Sequence, residues 1–155
     1  MQVKDIMSKQ SYVLNEDDDI CFAAEFMKKE RVRNLPIVDK ENKLVGLITL
    51  REIIDGFIQN SKRELVNPLK KESNYSLVGN IMIRDVKTVG PNTPLKGAIE
   101  MMILNKYNII PIVDNNRKLL GILTEHEIMK KLYELVELPK GFYEPSKAKK
   151  RLMDF

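Results

Sequence analysis

The sequence predicts an α+β fold in which two tandem βαββα repeats pack with pseudo-twofold symmetry into one domain. Three observations lead to this prediction. The chain repeats itself when it is shifted by 75 positions, each copy has the same order of apolar strands and amphipathic helices, and one copy alone is too small to cover both faces of its sheet. A chain of 155 residues, 43% of them hydrophobic, is long enough to bury a shared core.

The two copies keep a single register from their first residues to their closing helices. The tetrapeptide Pro36-Ile-Val-Asp39 falls on Pro111-Ile-Val-Asp114 without a gap. The other identical pairs are Val3/Val78, Ile6/Ile81, Met7/Met82, Ala23/Ala98, Glu25/Glu100, Met27/Met102, Lys43/Lys118, Leu44/Leu119, Gly46/Gly121, Thr49/Thr124, Glu52/Glu127 and Ile53/Ile128. Chance does not maintain such a register, so the chain is an internal duplication.

Each repeat opens with a short apolar strand, predicted at 12–14 and 86–89, and continues with a helix. Asp17–Asp19 are expected to start the first helix, because carboxylates stabilise the positive end of the helix dipole. Thr93 and Pro94 are expected to start the second as N-cap and first-turn residue. Residues spaced along one helix face are predicted to be core: Ile20, Ala23, Ala24 and Met27, and in the second repeat Leu95, Ala98, Ile99, Met102 and Ile103.

A β-hairpin and a closing helix complete each repeat. The first hairpin joins the apolar runs 35–38 and 44–48, and the second joins 109–113 and 119–123. Thr49 and Thr124 are placed to cap the closing helices. The apolar residues predicted to point inward from these helices are Ile53, Ile54 and Phe57, and Ile128, Met129 and Leu132.

These boundaries divide the chain into repeat 1 at residues 2–58, a polar connector at 59–76, repeat 2 at 77–136 and a basic C-terminal tail at 137–155. The run Lys147–Arg151 reads as a solvated tail that could also dock an acidic partner.

Composition excludes several classes of protein. The net charge is +4, but without residues 139–155 the chain has 21 basic and 20 acidic residues, so no basic stripe for nucleic acid is expected. No apolar run is long enough for a membrane span and no signal peptide is evident, which predicts a cytoplasmic protein. The single cysteine, Cys21, cannot form an internal disulfide or a thiolate metal cluster and is expected to be a buried small hydrophobe.

The motifs Leu35-Pro-Ile-Val-Asp39 and Gly46-Leu-Ile-Thr49-Leu-Arg-Glu52-Ile53, with their counterparts 110–114 and 121–128, resemble the CBS domain signature. The openings Asp5-Ile-Met7 and Asn80-Ile-Met82 also resemble the usual start of such repeats. The resemblance covers residues 2–58 and 77–134 and identifies a CBS pair, or Bateman module.

This resemblance implies clefts between the repeats that hold AMP, ADP, ATP or a related adenosine compound as a regulatory ligand, and it implies a homodimer. The backbone around Leu35-Pro36 and Ile110-Pro111 would face the adenine, the two threonines the phosphate or ribose, and Glu52 and Glu127 the ribose hydroxyls. The family usually has Asp at these two positions, so the reach of the carboxylate differs here. The predicted ligand-binding residues are Val13, Arg33, Leu35, Pro36, Thr49, Arg51, Glu52, Thr88, Ile109, Ile110, Pro111, Thr124, His126 and Glu127.

Physical chemistry supports part of this assignment and offers alternatives. A hydroxyl at a helix start lies beside free N–H groups, where anions bind readily, and Arg33, Arg51 or His126 could neutralise phosphate. The threonines could equally be helix caps, the glutamates dipole-stabilising residues, the prolines edge-strand residues and the basic groups solvated surface residues. Thr88 offers a hydroxyl where Val13 has none, which favours the second repeat, whereas the two arginines favour the first.

The sequence therefore predicts a regulatory adenine-nucleotide sensor that alters an unknown partner protein. No enzyme activity, cofactor or metal is expected, because the chain lacks a glycine-rich phosphate loop, a nucleophile beside a histidine and clustered metal ligands. The alternative is a ligand-free scaffold for dimerisation or protein interaction. Ile54, Phe57 and Met129 are candidates for an apolar dimer strip, should they not lie in the core.

Overall fold

The computed structural model describes residues 1–9, 12–66 and 77–137, without the side chains of residues 63–66. A 3₁₀ turn at Val3–Asp5 precedes the first repeat, which comprises α1 (Ile20–Glu30), β1 (Asn34–Val38), β2 (Leu44–Thr49) and α2 (Leu50–Val66). The second repeat comprises α3 (Val78–Ile81), α4 (Leu95–Asn105), β3 (Ile109–Val113), β4 (Leu119–Thr124) and α5 (Glu125–Leu135). The α+β prediction with two repeats is confirmed.

The helix that follows the opening segment starts differently in the two repeats. Asp19 caps α1, since its carboxylate accepts a hydrogen bond of 2.7 Å from the Cys21 N–H. In α4 the N-cap is Pro94, which has no side-chain cap, so the prediction that Thr93 caps this helix is wrong. The Thr93 N–H instead closes a turn by donating to the Gly90 carbonyl.

Each hairpin is an antiparallel pair with the same register. Asn34 pairs with Thr49 at the end of the first, and Ile109 pairs with Thr124 at the end of the second. The predicted strands at 12–14 and 86–89 are reduced to single parallel bridges, Leu14 to Ile37 and Val89 to Ile112. The first strand of each hairpin therefore has a backbone neighbour on both sides: the second strand of the hairpin and the residue of the single bridge.

The opening segment of each repeat packs into the core of the other repeat. Val78 and Met82 lie in the first core with Leu14, Ala23, Met27, Leu35, Ile37, Ile48 and Ile53. Val3 lies in the second core with Val89, Ala98, Met102, Ile110, Ile112 and Leu123. Backbone hydrogen bonds join each opening segment to the hairpin of the other repeat. They connect Ser8 with Ile122 at 2.9 and 3.0 Å, and Ile83 with Leu47 at 2.8 and 2.9 Å.

A third apolar cluster joins the hairpins near the pseudo-twofold axis. It consists of Val38, Leu44, Val113 and Leu119. The two hairpin turns are also hydrogen-bonded to each other. The Leu44 N–H donates to the Arg117 carbonyl at 2.9 Å, and the Leu119 N–H donates to the Asn42 carbonyl at 3.0 Å. The two repeats thus form one domain.

Several residues predicted to be buried are exposed. Ile103 is 71% exposed at the end of α4, and Cys21 lies on the outer side of α1 because Ile20 and Ala23 occupy its core face. Four apolar residues of the closing helices also lie outside the core: Ile54, Phe57, Met129 and Leu132. Only Ile53 and Ile128 from these helices pack inward as predicted.

Helix α2 continues through Val66, so residues 59–66 of the predicted connector are its last turns. The rest of the connector, 67–76, and the tail from residue 138 onward, including Lys147–Arg151, lie outside the described residues.

Gly121→Ala should destabilise the domain by about 1–3 kcal/mol, because an added Cβ would lie 2.4 Å from the Ser8 carbonyl oxygen, and backbone atoms cannot move aside easily. Gly97→Ala in α4 is the control, since a Cβ there meets nothing within 4 Å and alanine favours the helix by about 0.5–1 kcal/mol. Urea denaturation measures both. Equal effects of the two substitutions would contradict the close packing at the Ser8 bridge.

Candidate ligand clefts

The candidate clefts lie where the hairpins end and the closing helices begin. Residues directly paired across antiparallel strands present their side chains on one face, so Asn34 and Thr49 share a face, as do Ile109 and Thr124. Because Leu35 and Ile37 point into the first core, alternation along β1 turns Asn34 and Pro36 to the opposite face. Val38 on this opposite face contacts the hairpin of the other repeat, so the face is directed between the repeats.

Both predicted threonines form capping boxes with the predicted glutamates. Glu52 accepts a hydrogen bond from the Thr49 N–H at 3.0 Å and another from the Thr49 hydroxyl. Glu127 accepts the same two bonds from Thr124, again at 3.0 Å from the N–H. The threonine oxygens in turn accept from the N–H groups of Arg51 and His126, each at 3.2 Å.

The capping boxes limit how Glu52 and Glu127 could contact a ribose, because one oxygen of each carboxylate is already hydrogen-bonded. A glutamate at the third helical position reaches back to the N-cap N–H, which is the geometry of a capping box. In both repeats the bonds involve the same oxygen, Oε2. The second carboxylate oxygen, Oε1, is therefore the atom through which Glu52 or Glu127 would accept a ribose hydroxyl while the cap stays formed.

The predicted basic residues are exposed in both repeats. Arg33 adjoins the start of α2, because its carbonyl accepts the Leu50 N–H at 2.9 Å, and its guanidinium has no ion-pair partner among the described residues. Arg51 lies 4.0 Å from Asp55 with its side chain 86% exposed, which makes a weak pair. His126 is exposed in the first turn of α5.

A cleft of about 410 Å³ lies between the chain's opening segment and α5. Its lining residues are Asp5, Ile6, Met7, Ser8, His126, Glu127, Lys130, Lys131 and Glu134. This volume falls within the range of small-molecule sites. The Lys131 ammonium donates to Glu134 at 2.8 Å and holds the pKa of that carboxyl below its ordinary value. The structure thus brings the predicted His126 and Glu127 together with an opening segment that sequence reasoning did not include.

Other predicted ligand residues take different positions. The side chains of Leu35 and Ile110 are fully buried in the cores of their own repeats, so only their backbone is left to face a ligand. Val13 is exposed, and Thr88 is half-buried beside the bridge at Val89.

Pro36 and Pro111 are fully buried in strands with neighbours on both sides, so the alternative that they are edge residues is wrong.

Sequence reasoning missed Asn34. Its side-chain oxygen is buried and has no hydrogen-bond partner among the residues that the structure describes. An unpaired buried acceptor costs roughly 1–3 kcal/mol, so this oxygen is a natural acceptor for a ligand donor. The 75-residue shift could have identified Asn34, because Asn34 is the counterpart of Ile109, which is among the predicted ligand-binding residues.

Within residues 1–9, 12–66 and 77–137, no three or more His, Cys, Asp or Glu side chains are grouped to hold a metal ion. No helix in those ranges is long and apolar enough to cross a membrane.

Comparison with known proteins identifies the fold. The family model for the CBS domain matches residues 3–58 and again 78–134, the two repeats described above. The chain belongs to the CBS domain family. The recognition of a tandem pair from its repeated hairpin motifs is confirmed.

Relatives of this CBS pair occur both as small proteins and within larger ones. It is 29% identical over 134 residues to a 17.7 kDa protein of Acidianus ambivalens, covering 86% of this chain and 74% of that one. It is 36% identical over 129 residues to the L-aspartate semialdehyde sulfurtransferase of Methanocaldococcus jannaschii, covering 81% of this chain and only 22% of the enzyme. The CBS pair thus corresponds to one part of that enzyme.

Among solved structures, the CBS domain pair of protein MJ0100, in complex with 5′-methylthioadenosine and S-adenosyl-L-methionine, matches with a TM-score of 0.73 and 29% identity. The match covers 88% of this chain and 98% of that structure.

Thr124→Val should lower the free energy of unfolding by about 1 kcal/mol, because it removes the oxygen that caps α5. Thr93→Val is the matched control and should change stability by less than about 0.5 kcal/mol, since no side-chain cap starts α4. Urea denaturation without added ligand measures both variants. A loss at Thr93 as large as that at Thr124 would refute the assignment of the caps.

Proposed function

We propose that this CBS pair is a regulatory module that binds an adenosine compound between its repeats and transmits the bound state to a partner protein. The observation that carries the proposal is the hairpin end of repeat 1, where Thr49 shares a face with Asn34, whose buried oxygen has no partner among the described residues. An adenosine offers donors for such an acceptor through its amino group and its ribose hydroxyls. The likeness to the MJ0100 pair, crystallised with two adenosyl compounds, supports the same class of ligand.

The exchanged opening segments supply a route for transmission. The cleft beside α5 is lined both by residues 5–8, which precede repeat 1, and by the closing helix of repeat 2. A ligand that bridges them would change how the opening segment packs on the second hairpin. Because that segment is bonded to Ile122 at Ser8, a shift would reach the β4 strand directly. The module itself needs no catalytic step for this role.

An adenine nucleotide should stabilise the fold, by about 2.7 kcal/mol at a hundredfold excess over its dissociation constant, because it binds only the folded state. AMP, ADP and ATP should raise the melting temperature more than guanine or cytosine nucleotides do. Differential scanning fluorimetry measures this. If no adenosine compound raises the melting temperature, the scaffold alternative replaces the sensor.

The threonines provide a sharper version of this test. Thr49→Val and Thr124→Val each lower the stability of the protein without ligand through the lost cap, but a ligand contact changes only the shift that the ligand produces. The variant whose ligand-induced shift shrinks identifies the occupied cleft. An unchanged shift in both variants would rule out either threonine as a ligand contact.

We also propose that the module is a homodimer, on the evidence of two matching exposed strips. Helix α2 presents Ile54, Phe57 and Ile58, and α5 presents Met129, Leu132 and Tyr133 at positions related by the 75-residue shift; all six are between 38% and 60% exposed. Apolar groups at i, i+3 and i+4 form one continuous helix face. Two such faces related by the pseudo-twofold suit a second copy of the same chain.

Light scattering at micromolar concentration should give about twice the chain mass of 18.0 kDa. Ile54→Glu combined with Met129→Glu should give monomers, because the charges would be buried in the strip without partners. Ile103→Glu on α4 is the control and should leave the dimer intact, since Ile103 is exposed outside the strip. A wild-type monomer, or a dimer that survives the double substitution, would contradict this interface.

A further inference from the structure

The exposed strips of α2 and α5 differ in the charges at their ends. One line of the α2 surface, at positions i, i+3, i+7 and i+11, consists of Arg51, Ile54, Ile58 and Lys62. Its apolar middle has a cation at each end, and both cations are exposed. Arg51 makes only a weak 4.0 Å contact with Asp55, whose side chain is also largely exposed. The two ends of the α2 strip are therefore cationic.

The equivalent line on α5 ends differently. It consists of His126, Met129, Tyr133 and Glu137, each 75 positions after its counterpart on α2. Glu137 is exposed just beyond the end of α5, and Glu125 is exposed in the first turn, four residues before Met129. The α5 strip therefore has an acidic side chain at each end.

The remaining charges on these helices do not reverse this contrast. Residues 50–62 contain two bases and two acids, whereas residues 125–137 contain two bases and four acids. One glutamate in each range is tied into its capping box. Helices α1 and α4 each contain as many acids as bases, so they favour neither pairing of the strips. Away from the capping boxes, the positions charged in both repeats have opposite signs: Asp55/Lys130 and Lys62/Glu137.

Helix α5 carries its strip and the ligand cleft on nearly opposite sides. In the lining of the cleft, Glu127, Lys131 and Glu134 follow one another at i, i+4 and i+7. At 3.6 residues per turn, this side of the helix faces away from Met129 and Tyr133. A second copy that packs on the α5 strip therefore leaves the cleft open to a ligand.

Resting on the homodimer proposed above, we infer that the two copies pack in an antiparallel arrangement, with the α2 strip of each copy on the α5 strip of the other. Both contacts of this twofold dimer then bring cationic strip ends against acidic ones. The parallel arrangement, α2 on α2 and α5 on α5, would bring cations together at one contact and carboxylates together at the other. Like charges that meet across an interface cost free energy. The helix that lines the cleft of one copy thus contacts repeat 1 of its partner.

Cysteine crosslinking distinguishes the two arrangements. The background is Cys21→Ser, which removes the only cysteine. Ile58→Cys and Tyr133→Cys then place a single thiol on the α2 strip or on the α5 strip, and light scattering establishes that each variant is dimeric. A short bismaleimide should link neither variant to itself, but it should link the two variants when they are co-expressed with different tags.

The outcomes separate the orientation from the dimer itself. A covalent dimer formed by either variant alone would overturn the antiparallel arrangement. Dimers that are not linked in any combination would show that the copies meet elsewhere, and the inference would again be wrong. A wild-type monomer by light scattering would instead refute the homodimer proposed above.

A charge reversal provides an independent test. Glu137→Lys should raise the dissociation constant of the dimer about tenfold, because attraction becomes repulsion at two symmetric contacts. Lys62→Glu or Arg51→Glu, whichever cation lies opposite, should restore the affinity when added. Glu41→Lys, in the hairpin turn and outside both strips, is the matched control and should leave the dimer unchanged. Analytical ultracentrifugation measures these constants. A dimer that Glu137→Lys tightens or leaves unchanged would support the parallel arrangement and contradict the inference.

Discussion

The exchange of opening segments between the repeats is the constraint on which the rest of the structure depends. Each segment adds a backbone bridge to the outer strand of the other repeat's hairpin, Ser8 to Ile122 and Ile83 to Leu47. These bridges require the backbones to approach closely beside Gly46 and Gly121, where a Cβ would collide with Met82 in one case and with Ser8 in the other. The glycines of the repeated motif are therefore explained by the packing between repeats and not by turn conformation.

This exchange also makes the two repeats inseparable. Val3 and Val78 are completely buried in the core of the other repeat, to which their own repeat contributes only its opening segment. Neither repeat can complete its core alone, and the clefts between them exist only in the assembled pair.

The two hairpin ends keep the same helix start while the residues beside it differ. The Thr and Glu of the capping box are retained in both copies because they start the closing helix. The residues beside the capping box do not start the helix, and they differ between the copies. The first copy has arginines and an asparagine, and the second has neutral or acidic side chains.

The sequence by itself determined the duplication, the hairpins, the caps at Asp19 and Thr124, and the family, because each is encoded by local pattern and by identity at a fixed shift. Only the tertiary structure decided that the opening segments cross over, because this exchange depends on contacts between residues far apart in the sequence, such as Ser8 with Ile122 and Leu47 with Ile83. It also decided that Ile54, Phe57, Met129 and Leu132 lie outside, since a helical apolar period does not distinguish a core from a surface strip. In the site, the sequence located the threonines and glutamates, but the pairing of Asn34 with Thr49 and the contribution of residues 5–8 to the cleft required the folded chain.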